Sequence, residues 1–328
     1  MIPLSVLELG GVREGSDRGT ALREAADLAQ HVESLGYHRF WVAEHHNMPM
    51  VTTAATAVVL GHVAAATSTI RVGAGGIMLP NHAPYVIAEQ FGTLETLFPG
   101  RVDLGLGRAP GTDQLTLQAL RRPAGNSDNF PGDVLELQRF LGPAQGRQHI
   151  EAIPGSGTEV PLWILGSSLF GAQLAAEFGL PYAFASHFAP QQLDAALSIY
   201  RSRFKPSKQL SEPYAMVGVN IVAADTNEHA KYLATSQQIM FANILRGRRG
   251  LFPRPVDDIS EHLSPMECEG AATMLQCSFV GGKASLRRQL DTFVERTQAD
   301  ELIVATNVFG RDERFRSFEL LRAAMTDT

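Results

Sequence analysis

The chain has 328 residues, 45% hydrophobic and 19% charged, with a formal net charge of -6. Its Lys and Arg residues are scattered rather than gathered into a stripe, which excludes the electrostatic footprint of a nucleic-acid binder, and no apolar run approaches the roughly 18 residues of a membrane span. Cys268 and Cys277, alone and without a CxxC pair or adjoining His run, exclude a disulfide framework and a zinc site and suit a reducing cytoplasm.

The elements alternate from the start. Met1-Ile2-Pro3-Leu4 has no basic stretch ahead of its apolar residues, so no signal peptide is expected. Residues 3–9 read as a strand, and residues 20–35 show helical spacing closed by Gly36. Phe40-Trp41-Val42-Ala43-Glu44-His45-His46 is a short apolar run ended by a carboxylate and two imidazoles, the pattern of a buried parallel strand with chemistry at its carboxyl end. An Ala- and Val-rich helix follows over 53–66, then a strand over 70–76 that finishes in Gly73-Ala74-Gly75-Gly76. A third helix is expected over 85–97 and a fourth strand over 102–108. The second half repeats the pattern, with strands over 162–165, 182–185, 217–224 and 301–305 and helices over 191–204, 227–245, 286–296 and 311–325.

Eight strands alternating with helices require a parallel sheet with helices outside. No GxGxxG follows the first strand, so the expected fold is an α/β (β/α)8 TIM barrel rather than a Rossmann sheet, with one domain over 1–328. Two segments interrupt the alternation: 121–156 after strand 4, rich in Pro and Gly, and 246–276 after strand 7. Long insertions in a compact domain serve as lids or binding loops, or as passive surface elaboration.

A barrel would gather the strand ends Glu44, His45, His46, Gly75, Gly76, His82, Arg108, Ser167, Ser168, His187, Asn220 and Asn307 on one mouth. Gly166-Ser167-Ser168-Leu169-Phe170-Gly171 opens a helix, whose free N–H groups and dipole, with Arg108 on a neighbouring strand, describe a phosphate cradle. The plain alternative is that Ser167 N-caps the helix and Arg108 pairs with Asp103 or Asp113. Gly75 and Gly76 allow close approach of a planar ligand, or ordinary close packing. Glu44, His45 and His46 suit proton transfer near neutral pH, a hydrogen-bonded structural cluster, or a metal. Against the metal, adjacent strand residues face opposite ways, so His45 and His46 cannot both point inward.

In these residues the sequence resembles the bacterial luciferase-like monooxygenase family, particularly its single-subunit branch. The carriers are the Phe40–His46 run, Val72-Gly73-Ala74-Gly75-Gly76-Ile77-Met78-Leu79-Pro80, Asp103-Leu104-Gly105-Leu106-Gly107-Arg108-Ala109-Pro110-Gly111, Gly166-Ser167-Ser168 and Asp300-Glu301-Leu302-Ile303-Val304-Ala305-Thr306-Asn307. The resemblance implies a TIM barrel that takes reduced FMN from a separate NAD(P)H:flavin reductase and activates O2 as a flavin C4a-hydroperoxide. The implied product is an oxygenated hydrophobic organic molecule, with a tailoring step in secondary metabolism as one setting for it.

It further implies a cis peptide at Gly75-Gly76 beneath the flavin ring, with Arg108, Ser167, Ser168 and the backbone N–H groups of Leu169, Phe170 and Gly171 on the phosphate. His45 would be the catalytic base, with Glu44 orienting it, and 246–276 would form a lid. No metal is implied, and relatives pair as homodimers through outer helices of the first half. Gly107 stands where luciferase has a reactive cysteine and Gly166 where it has a carboxylate, which argues against assuming a long-chain aldehyde or light emission. An F420-dependent oxidoreductase, a non-catalytic flavin-binding protein and a metal-dependent hydrolase are the rival readings.

Overall fold

The computed structural model describes residues 2–109, 113–122, 126–144 and 150–326. Pro110 and Gly111 of the quoted motif, and 123–125 and 145–149 of the first insertion, lie outside them. The strands are β1 (Leu4–Glu8), β2 (Arg39–Val42), β3 (Arg71–Met78), β4 (Val102–Gly107), β5 (Leu162–Gly166), β6 (Tyr182–Phe184), β7 (Ala215–Ala223), β8 (Ser278–Gly281) and β9 (Glu301–Ala305). Eight of them close a parallel barrel in the order β1-β2-β3-β4-β5-β6-β7-β9 and back to β1. The fold is the expected TIM barrel.

Helices cover the outside: α1 (Arg18–Ser34), α2 (Thr56–Ala66), α3 (Pro84–Leu97), α4 (Gln114–Ala119), α5 (Phe130–Leu141), α6 (Leu169–Phe178), α7 (Leu193–Arg203), α8 (Asn227–Leu245), α9 (Pro265–Met274), α10 (Lys283–Thr297) and α11 (Arg311–Thr326). No helix among the described residues is long and apolar enough to cross a membrane.

Two findings refine the expected layout. The segment 121–156 contains α5, whose Phe130, Val134 and Leu137 are fully buried in the outer core, so it supplies the covering helix of its own unit. The strand β8 ends the second insertion. Asn220 pairs with Ser278 of β8 on one side and with Ala305 of β9 on the other, so β8 prolongs the β6 side of β7 instead of joining the barrel.

Strand alternation divides the apolar residues into two layers. Leu7, Trp41, Ala43, Trp163, Ala183, Met216 and Ile303 fill the barrel, while Val6, Phe40, Val42, Val72 and Leu104 face the helices. At the N-terminal ends of the strands the barrel is floored by charge. Arg39 Nη1 donates to Asp103 Oδ2 at 2.6 Å and Arg39 Nε to Glu301 Oε1 at 3.1 Å. Arg71 Nη2 donates to Asp103 Oδ1 at 2.6 Å and the Tyr214 hydroxyl to Glu301 Oε2 at 2.8 Å, while Ser5 also donates to Glu301. Trp163 lies 4.9 Å from the Arg39 guanidinium carbon, edge-on to Trp41, and closes the floor from above.

Candidate active site

Trp41 and Ala43 point into the barrel and Phe40 and Val42 point out; β2 ends at Val42, and the polar end follows it directly. Glu44 is fully buried. Its Oε1 meets His46 Nε2 at 2.7 Å and His82 Nε2 at 2.8 Å, and its Oε2 accepts the Met78 N–H at 3.0 Å. Burial alone would raise the carboxyl pKa; the hydrogen bonds from His46, His82 and Met78 outweigh it and hold the group down to about 2. Glu44 thus ties the end of β2 to the end of β3.

Glu44, His46 and His82 are also a donor set that a metal ion can use, with their ligand atoms within 4.8 Å of one another. The carboxylate already accepts three hydrogen bonds, and a cation would have to displace two of them. His82 joins this cluster from 36 residues downstream of His46, a partnership that local spacing does not reveal.

Inside the barrel stands a second imidazole. Gly218 of β7 is paired with the inward-facing Ile303, so its missing side chain points to the barrel axis, and a Cβ there would lie 2.4 Å from His187 Nδ1. The His187 ring therefore occupies the space above Gly218. Its Nδ1 is buried with no hydrogen-bond partner, while its main-chain carbonyl accepts Asn220 Nδ2 at 2.6 Å. Burial, then the charge of His45, push the His187 pKa down to about 4. Asn307 Nδ2 reaches Asn220 Oδ1 at 3.4 Å, so the β6, β7 and β9 ends are linked.

Across the mouth, β3 and β4 pack closely through glycines. The Gly75-Gly76 peptide is cis, and the β3–β4 register shifts between Ala74 and Ile77. A Cβ on Gly75 would come within 2.7 Å of Leu7 Cδ1, one on Gly76 within 2.7 Å of the Gly105 carbonyl, and one on Gly105 within 2.2 Å of the Ala74 carbonyl. These contacts require glycine. The space a side chain would take at Gly75 is filled by Leu7 and Trp41, and at Gly76 and Gly105 by backbone carbonyls and Leu165, while Gly75 itself is half-buried.

Arg108 leaves the end of β4 and lays its guanidinium carbon 4.2 Å from the centre of the Phe170 ring, in the first turn of α6. It pairs with Asp128 at 3.6 Å rather than with Asp103 or Asp113, both of which are held by other arginines. The α6 N-cap residue is Ser168, not Ser167, and it makes no side-chain capping bond. Of the expected phosphate donors, the Leu169 N–H already donates to Gln192 Oε1, at 3.3 Å. Arg108, Ser167, Ser168, Phe170 and Gly171 are brought to one place as expected.

Residues 246–276 reach back over this end. The Phe252 backbone exchanges hydrogen bonds with Val12 and Glu14 in the loop after β1. Arg249 binds Asp113 at 2.7 Å and the Asn47 carbonyl at 3.2 Å. Surface hollows of about 310 Å³ beside 259–268 and about 520 Å³ between α1 and α2 contain none of the mouth residues.

Comparison with known proteins agrees with this fold. A family model described as luciferase-like monooxygenase matches residues 2–301. An Escherichia coli K12 protein named luciferase-like monooxygenase is 51% identical over 97% of this chain and 96% of its own. A Bacillus subtilis N-acetyl-S-alkylcysteine monooxygenase is 33% identical over 76% of each chain. The crystal structure of apo-MsnO8 superposes with a TM-score of 0.88 at 31% identity, covering 100% of this chain and 99% of the other. At 15% identity, where only the fold is informative, the oxygenating constituent of Pseudomonas putida 3,6-diketocamphane monooxygenase in complex with FMN has a TM-score of 0.71, covering 98% of this chain and 97% of its own. An F420-dependent secondary alcohol dehydrogenase has 0.72, covering 99% of each.

Proposed function

The chain belongs to the luciferase-like monooxygenase family, and from that premise we propose that it oxygenates an apolar organic molecule with O2 and reduced FMN supplied by a separate flavin reductase. The observation that carries the choice of cofactor is Arg108 lying on Phe170 at the uncapped first turn of α6. A guanidinium and a helix N-terminus suit a phosphate.

Bound reduced flavin would supply the activation of oxygen. The protein's part is position, proton management and water exclusion. Arg108 and the α6 N-terminus anchor the phosphate, and Gly75 and Gly76 let the ring lie against β3. His45 exchanges a proton at an imidazole nitrogen, with its backbone fixed by the bonds that Glu44 makes next door. Residues 246–276 shield the reaction from solvent. A homodimer fits the exposed Val58 (74%) on α2 and Leu97 (64%) on α3, apolar residues on two outer helices of the first half.

The test is an anaerobic titration with reduced FMN, oxidised FMN and F420, followed by oxygen. Preference for reduced FMN and an oxygen-dependent absorbance transient are expected. Arg108→Ala should weaken FMN binding on the order of tenfold or more, and His45→Ala should keep binding but lose product formation. Preference for F420, or FMN held without any response to oxygen, would refute the oxygenase reading.

A further inference from the structure

We propose that Glu44, His46 and His82 form a binding site for a divalent transition-metal ion of the zinc type. The three residues come from two strands. Glu44 and His46 follow β2 directly, and His82 follows a single 3-10 turn, Leu79–Asn81, at the end of β3. Both imidazoles turn Nε2 to one oxygen, Glu44 Oε1, at 2.7 and 2.8 Å, so two ring nitrogens and a carboxylate already converge on one point. All three ligand atoms lie within 4.8 Å of one another. Donors bound to zinc at about 2.0–2.2 Å stand about 3–3.4 Å apart, so the rings need to withdraw by only roughly a few tenths of an ångström. Two imidazoles and one carboxylate are a donor set that zinc uses, with water at the remaining position.

The surroundings suit an ion. The carboxylate is buried, but the His46 and His82 side chains are 16% and 26% exposed, which gives an ion a path to Nε2. The far oxygen, Glu44 Oε2, is held by the Met78 N–H at 3.0 Å, the kind of outer partner that orients a ligating carboxylate. Without metal, Nε2–H groups serve the carboxylate; with it, each ring carries its proton on Nδ1 and turns the Nε2 lone pair to the ion. The ion thus competes with two hydrogen bonds, and the site fills only as metal concentration rises. Ligation would pin the residues on both sides of His45, so on the reading of His45 given above a bound ion is a brake. The site itself does not depend on flavin.

Titration of the chelator-treated protein with Co2+, a zinc substitute with visible ligand-field absorption, tests this. One Co2+ per chain is expected, with a visible band that Zn2+ abolishes and an unfolding midpoint that rises with Zn2+ concentration. His46→Gln and His82→Gln each keep a side-chain N–H for Glu44, which guards the fold, but offer no imidazole lone pair. Each should weaken Co2+ binding about a hundredfold or more, at or beyond the cost of losing an outer partner. His62→Gln, exposed on α2, should bind Co2+ as wild type does. The proposal is overturned if wild type shows no saturable Co2+ band. It is equally overturned if band and affinity survive in His46→Gln and His82→Gln, which would place the ion elsewhere.

Discussion

The two ends of the barrel hold similar residue types in opposite conditions. On the floor, Arg39, Asp103 and Glu301 lie within 3.1 Å of an opposite charge, and Arg71, Tyr214, Ser5 and Trp41 complete the carboxylates. At the mouth, His187 Nδ1 is buried without a partner, α6 begins without a side-chain cap, and the Arg108 ion pair spans 3.6 Å to an exposed Asp128. A saturated network serves the fold, because each of its charges is already neutralised where it lies. An unsaturated set serves a ligand, because folding alone does not satisfy it. The polarity of parallel strands separates the two, with binding at the carboxyl ends and stability at the amino ends.

The sharpest way to break this contrast is to unpair the floor. Arg39→Met would leave Asp103 and Glu301 buried beside each other with one arginine removed, and breaking a buried pair costs about 3–5 kcal/mol. Denaturant unfolding should show a loss of that size. Arg108→Ala, at the mouth, should stay within about 0.5 kcal/mol of wild type. Equal losses would mean that the mouth is as much a part of the folding scaffold as the floor.

Glu44 lies at the mouth but has the saturation of a floor residue, and pH separates these aspects. Its folded pKa of about 2 lies below the ordinary 4.5, so the carboxylate contributes stability above pH ~4.5 that is lost as pH falls toward 2. The shift corresponds to about 3 kcal/mol. Glu44→Gln should therefore be less stable than wild type at neutral pH, with the gap closing between about pH 4.5 and 2. A gap that persists unchanged to low pH would mean that the ionised carboxylate is not what the cluster uses.

The barrel and its mouth were legible because each depends on local pattern. Apolar runs ending in polar residues gave the strands, and the helical repeats between them gave the outer layer. What escaped was long-range. His82 joins Glu44 only once β3 lies beside β2, and His187 acquires meaning only from the missing side chain of Gly218 on the next strand. Arg39, Asp103 and Glu301 sit one or two residues into three different strands and meet only when the sheet closes. The helix α5 was hidden among prolines that suggested a loop; Pro131 in fact stands in its first turn, where a missing N–H costs nothing.

The smallest effect belongs to the strap over the mouth, and it tests whether closure there rests on weak, adjustable contacts. Arg249 bridges Asp113 and the Asn47 carbonyl, joining residues 246–276 to the loops after β4 and β2. Asp113 is held well below the ordinary carboxylate range, first by the Thr116 backbone N–H and then by Arg249. Both partners are partly exposed, so the pair is screened by salt and adds little to global stability. Arg249→Ala should accordingly leave the unfolding midpoint unchanged, since the Phe252 backbone bonds to Val12 and Glu14 remain. Local opening should nevertheless become more frequent, and limited trypsin digestion should cut after Arg246 or Arg248 several-fold faster than in wild type. High salt should bring the wild-type rate toward that of the variant. Equal cutting at low salt would show that the Phe252 bridges, and not the arginine, keep the mouth covered.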